Sequence, residues 1–159
     1  MRALLDVNVL IALLDVDHVH HDAARTWLKD HIELGWASCP ITQNGVLRIM
    51  SQTSYPNSLT TGAVTERLRT ATQARHHQFW PDSVSLIHPA VLKPRQAVTS
   101  KQITDLYLLA LAVSKGGRLV TFDARISSAS VAGADDRHLC AISSAPLGAE
   151  TRGDGGHDG

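Results

Sequence analysis

Three aspartates stand where an acidic pocket would need them. Asp6 directly follows the apolar run Ala3-Leu4-Leu5, Asp105 precedes the apolar stretch Leu106 to Val113, and Asp123 directly follows Leu119-Val120-Thr121-Phe122. Two of the three end segments that read as buried parallel strands, and in an open α/β sheet ligands sit outside the carboxyl ends of the strands. Carboxylates converging without a basic partner raise one another's pKa, and a hard cation relieves that repulsion, so the pattern points to Mg²⁺ or Mn²⁺. The chemistry expected of such a pocket is metal-assisted phosphoryl transfer. Singly, each acid also has a local explanation: Asp6 as a helix cap, Asp105 as a favourable charge in a first helical turn, Asp123 as a turn former. Those explanations do not account for two strand-ending acids sharing the sheet edge where sites form.

Positioning these acids requires strands alternating with helices. Met1 to Leu5 reads as a first strand, short and apolar throughout, as a strand covered on both faces should be. Val7 to Leu14 follows as a helix with Val7, Leu10, Ile11 and Leu14 on one stripe, and His21 to His31 as a second, stopped by Gly35. Trp36 to Cys39 is a second strand, Ile41 to Ser51 a third helix, and Thr60 or Thr61 caps a fourth running to about Arg75 with Ala63, Leu68 and Ala71 inward. Val84 to Ile87 is the candidate third strand. Ile103 to Lys115 is the clearest helix, ended by Gly116-Gly117, and Arg118 to Phe122 and Leu139 to Ile142 read as the last strands. The expected fold is α/β with a central, mainly parallel sheet flanked by helices in three layers. Residues 1–143 form the domain; the small and polar residues of 144–159 are expected to be a disordered tail.

The chain has 159 residues, 43% hydrophobic and 19% charged, which suits one globular domain with a real core. No apolar stretch reaches the ~20 residues of a membrane span, and the start of the chain lacks a signal-peptide pattern, so a cytoplasmic location is expected. Cys39 and Cys140 have neither metal-ligand nor disulfide-framework spacing and read as small buried hydrophobes. A formal charge of +0 with pI near 7.1 lacks the footprint of a tight non-specific nucleic-acid binder. Any RNA recognition must then be local or shared with a second subunit.

Leu4-Leu5-Asp6-Val7-Asn8-Val9-Leu10-Ile11-Ala12-Leu13, Ile103-Thr104-Asp105-Leu106-Tyr107-Leu108-Leu109-Ala110-Leu111-Ala112 and Leu119-Val120-Thr121-Phe122-Asp123 together resemble PIN-domain ribonucleases, specifically the VapC toxins of type II toxin–antitoxin modules. The resemblance covers roughly residues 1 to 143. It implies a PIN-like fold and a Mg²⁺- or Mn²⁺-dependent endoribonuclease that cleaves tRNA, rRNA or mRNA, with Asp6, Asp105 and Asp123 as metal ligands. A cation in such a site neutralises phosphate charge and activates a water. It further implies a homodimer and a VapB-like antitoxin whose tail places a basic group in the pocket. The expected docking surface is the pair of helices Val7 to Leu14 and Ile41 to Ser51, through Leu13, Leu47 and Met50.

One departure stands out. Many PIN domains carry a glutamate near the start of the third helix, where this chain reads Ile41-Thr42-Gln43-Asn44-Gly45-Val46 with no acid. Asn44 or Gly45 takes that place. Asn44 can offer a carbonyl oxygen to the site, or simply satisfy local backbone groups. Asn8 and Thr121, two residues from Asp6 and Asp123, are expected to orient the acids if the backbone there is extended. Arg48, Arg118 and Arg125 are candidate phosphate contacts.

Other constellations carry less. Asp17-His18-Val19-His20-His21-Asp22 is a run without the spacing that converges on a helix face and reads as a helix entry. Nothing nearby orients His76 or His77 for acid–base cleavage. A phosphoacceptor domain or a haloacid-dehalogenase-type phosphatase needs a second acid beside Asp6, which is missing. The remaining rival is a binding protein that kept the fold and lost catalysis.

Overall fold

A computed structural model describes residues 1–93 and 98–143, so the tail expected at 144–159 lies outside the described residues. The chain runs β1 (Ala3–Leu5), α1 (Val7–Leu14), α2 (His21–His31), β2 (Trp36–Ser38), α3 (Pro40–Met50), α4 (Thr61–Thr72), β3 (His77–Phe79), α5 (Ile103–Ser114), β4 (Arg118–Thr121) and β5 (Leu139–Ala141). The five strands form one sheet in the order β3-β2-β1-β4-β5, every neighbouring pair parallel. The chain builds outward from β1 to β3, then crosses back to place β4 on the other side of β1. The crevice at the carboxyl ends of β1 and β4 is therefore the topological switch point, where doubly wound sheets bind ligands.

Alternation within these short strands sorts side chains into two cores. Leu4, Ala37 and Leu119 point toward α5, which buries Leu106 and every residue from Leu108 to Ala112. Ala3, Leu5, Trp36 and Val120 point the other way, onto α1, α3 and α4 with α2 outside them. Both faces are thus covered, which is why the central strands read as continuous apolar runs. The helix Ile103–Ser114 ends at Gly116, whose φ of 64° is the left-handed stop that the Gly-Gly pair predicts.

Two expectations fail. The third strand is His77–Phe79, not Val84 to Ile87. The true strand lies at the sheet edge and is half-exposed to exposed, so it carries no apolar run. Val84 and Leu86 are apolar because, as loop residues, they pack on the α5 face. In α4 the buried residues are Val64 and Leu68, whereas Ala63 is exposed; Thr60 caps the helix by accepting from the Ala63 N–H at 3.2 Å. No helix among the described residues is long and apolar enough to cross a membrane.

Candidate active site

Asp6 ends β1 and begins α1 in one step. Its backbone N–H continues the sheet by donating to Val120 O at 2.9 Å, while its side chain caps the helix, Oδ1 accepting from the Val7 N–H at 2.6 Å. Its other oxygen, Oδ2, accepts from Thr121 Oγ1 at 3.0 Å across the β1/β4 pair. The capping role expected of Asp6 is thus in place, with both carboxylate oxygens engaged, and Asp6 lies behind the recess lined by Asp105 and Asp123 rather than in its wall. Asp6 is only 8% exposed; burial raises its pKa, the Thr121 and Val7 hydrogen bonds oppose this, and the charge of Asp123 adds to it.

Thr121 also accepts the Asp123 N–H at 3.1 Å, so one buried hydroxyl ties the two strand-end acids together. Asp105 enters from the first turn of α5 and is half-buried. Burial, then the charges of Asp6 and Asp123, push its pKa up to about 6, with Arg125 opposing. No hydrogen bond engages its carboxylate among the described residues.

The pocket is not free of basic groups, contrary to the sequence expectation. Arg125 folds back on Asp123, its Nε donating to Oδ1 at 2.9 Å and Nη2 to Oδ2 at 2.7 Å, and this pairing pulls the Asp123 pKa down to about 2. Lys101 lines the same recess with Asp105, Asp123 and Arg125. The carboxylate oxygens suit a hard divalent cation, and Asp105 is a carboxylate that no hydrogen bond or ion pair engages among the described residues. As placed, no three acidic, histidine or cysteine side chains among the described residues gather tightly enough to enclose an ion. Asp123 is instead committed to Arg125.

The other expected site residues divide. Thr121 holds Asp6 as anticipated. Asn8 does not flank Asp6 on an extended segment: the helix begins at Val7, so Asn8 lies exposed on its first turn, in a neighbouring cleft that Asn44, Arg48 and Thr104 also line. At position 45 a Cβ would sit 2.6 Å from Val7 Cγ2, so no side chain fits there at the present spacing of α1 and α3. Asn44 is the residue with room for its side chain; it lies between that cleft and a hollow against α4 lined by Thr65 and Arg69, and does not line the recess of Asp105 and Asp123. Arg118 starts β4 at the opposite edge of the sheet, its guanidinium 5.3 Å from the centroid of the Trp27 ring, which removes it from the phosphate-binding candidates.

The histidine run is a helix entry, as expected. His21 Nδ1 lies 2.7 Å from Ala12 O, His20 packs on Phe122, and Asp22 occupies the first turn of α2. His77 is engaged by Ser38 at 2.9 Å. Of the residues expected to face a partner, Leu13 lines a groove and Leu47 is half-buried. Met50 is 1% exposed in the core and so unavailable, while an apolar groove opens between α1, α2 and α4, lined by Leu10, Leu14, Leu28, Ile32, Leu68 and Ala71.

The PIN domain family model matches residues 3–132. Ribonuclease VapC44 of Mycobacterium tuberculosis is 50% identical over 142 residues, covering 89% of this chain and 100% of that protein. Ribonuclease VapC39 of the same species is 47% identical over 135 residues, 84% of this chain and 96% of that one. Among solved structures, Mycobacterium tuberculosis VapC20, a toxin that cleaves the sarcin-ricin loop, aligns with a TM-score of 0.54 over 82% of this chain and 97% of its own, at 11% identity. VapBC2 of Rickettsia felis, bound to a promoter DNA fragment, aligns with a TM-score of 0.52 over 77% of this chain and 89% of that one, at 13% identity. At such identities the structural likeness speaks for the fold.

Proposed function

As the chain belongs to the PIN-domain family and, within it, to the VapC ribonucleases, we propose that Asp6, Asp105 and Asp123 hold Mg²⁺, or Mn²⁺ in its place, against an RNA phosphodiester. The bound ion supplies phosphate-charge neutralisation and a more acidic water. This chain's own residues do the rest. Thr121 fixes the Asp6 carboxylate through its hydroxyl, and the Val7 N–H holds the other oxygen, so Asp6 loses little freedom on binding. Asp105 supplies a carboxylate that no hydrogen bond engages among the described residues. Arg125 is close enough to exchange Asp123 for the phosphate of a bound strand.

The observation that carries the reading is Asp105: a half-buried carboxylate at the β1/β4 switch point, without a hydrogen bond among the described residues, its pKa pushed up to about 6 by burial and then by the charges of Asp6 and Asp123. Evolutionarily neutral packing does not require such a group, whereas a cation site does.

The protein acts as the toxin of a toxin–antitoxin pair, cleaving RNA to halt translation and growth. Its partner is a VapB-like antitoxin, whose apolar helix fits the groove between α1, α2 and α4. A homodimer would pool two acidic recesses and their arginines, compensating for a chain of net charge +0. Mapping RNA ends in cells after induced expression tests the activity and identifies the target together. Discrete cuts that disappear in Asp105→Asn are expected; the same cuts persisting in that variant would overturn the assignment.

A further inference from the structure

A second cleft of about 390 Å³ meets the acidic recess at the first turn of α5, where Thr104 lines the cleft and Asp105 the recess. Val7 follows Asp6 and lines the cleft; Thr104 precedes Asp105 and lines it too. Whatever occupies it therefore sits one residue away from two of the three acids. Its floor is apolar, from Val7 and Ile49, and its rim carries Asn8, Asn44, Arg48 and Thr104. No acid lines it, in contrast to the neighbouring recess.

Three properties narrow the occupant. The volume lies in the range of small-ligand pockets and exceeds what a water cluster needs. The side chains of Asn8, Asn44 and Arg48 make no hydrogen bond or ion pair among the described residues, so two amides and a guanidinium stand uncommitted around one apolar floor. An amide presents a donor and an acceptor side by side, which matches the edge of an unpaired base, while an arginine matches a phosphate. The cleft is kept open by Gly45: with no side chain there, α3 closes on Val7 without filling the space above it.

We infer that this cleft binds one unpaired nucleotide next to the scissile phosphate, its base edge read by Asn8 and Asn44 and its phosphate held by Arg48. The inference rests on the endoribonuclease reading of the acidic recess and adds the place where sequence preference arises. It also gives position 44 a role other than the metal ligation that a glutamate would perform: the residue on α3 reads the substrate.

The test separates binding from cleavage. Fluorescence anisotropy with ribo-hexamers of A, C or U, on full-length Asp105→Asn protein in EDTA, measures recognition without metal or turnover. The expected result is at least about tenfold discrimination among the three oligomers, collapsing toward equality when Asn44→Ala or Asn8→Ala is added, and a uniform weakening of about three- to tenfold with Arg48→Ala. Both asparagines are exposed, so the variants should fold; circular dichroism checks this, and either asparagine alone suffices. Discrimination absent from the start, or unchanged in both asparagine variants, overturns the inference. So does light scattering in which Asn44→Ala converts a dimer to a monomer, because a second copy would then be what covers the cleft. Wild-type protein that binds selectively but cuts no RNA with Mg²⁺ or Mn²⁺ would instead refute the nuclease reading and leave the base-reading cleft standing.

Discussion

Helix α1 has a buried aspartate at each end, and the two live in opposite surroundings. Asp15, 5% exposed at the C-terminal end, accepts from Tyr55 Oη at 2.5 Å, from Asn57 Nδ2 at 3.2 Å and from the Asp17 N–H at 3.1 Å. Burial works to raise its pKa, but those donors outweigh it and leave it lowered. Asp6, 8% exposed at the N-terminal end, has two donors and two acidic neighbours; burial first, and the charge of Asp123 after it, raises its pKa against those donors. Asp15 is a finished structural contact that pins the 51–59 loop to the helix. Asp6 belongs to a cluster of acids whose charges act against one another. Similar surface exposure of the same residue type thus says little by itself: Asp6 lies deeper in the protein, and that depth first, then fewer donors and an acidic neighbour, sets it apart from Asp15.

The sharpest way to break this contrast is to neutralise one acid at each end. Asp6→Asn or Asp105→Asn should cut RNA cleavage by about a hundredfold or more, while metal-free unfolding stays unchanged or shifts to higher temperature as repulsion is relieved. Gel-based cleavage rates beside thermal melts check both halves; a melt that collapses together with activity would make these acids structural. Asp15→Asn should do the reverse. Its amide turns a donor toward Tyr55 and Asn57, costing about 2 to 3 kcal/mol in urea unfolding, with cleavage by the remaining folded protein kept. Loss of activity without loss of stability would place Asp15 in the site.

Smaller effects refine the picture within the pocket. Thr121→Val removes the hydroxyl that joins Asp6 to Asp123, and divalent affinity measured by calorimetry should drop about 10- to 100-fold. Unchanged affinity would mean that Asp6 needs no orienting. The smallest effect is the pH dependence of metal-free stability. Asp105 has a folded pKa of about 6 against 3.8 for the unfolded carboxyl, so its ionisation is disfavoured in the fold. This destabilisation is fully present above about pH 6 and fades as pH falls toward 4. Relative to Asp105→Asn, the wild-type protein should therefore gain stability between pH 7 and pH 5. A flat difference curve would show that the three charges do not interact.

Much of this was legible in the chain because strong local signals coincide with burial. The acids after β1 and β4 follow apolar runs that only a doubly covered sheet requires, and α5 carries an unbroken apolar stripe. What escaped was set by tertiary geometry. His77–Phe79 forms a strand by lying along β2, not by having strand composition. The helix start at Val7 was legible, and it is this start that takes Asn8 away from Asp6, because the orienting role of Asn8 needed an extended backbone there. Arg125 reaches Asp123 through a tight turn that also bonds its own N–H to the carboxylate at 2.8 Å, a pairing that spacing alone does not distinguish from two solvated charges.

The central claim is that the acids at the β1/β4 switch point form a divalent-cation site. Isothermal titration of Mn²⁺ into wild-type protein and into Asp105→Asn, without RNA, addresses it directly. The account predicts saturable binding to the wild type, accompanied by a raised unfolding temperature, and both lost in the variant. Equal Mn²⁺ binding and equal stabilisation in the two proteins would contradict it.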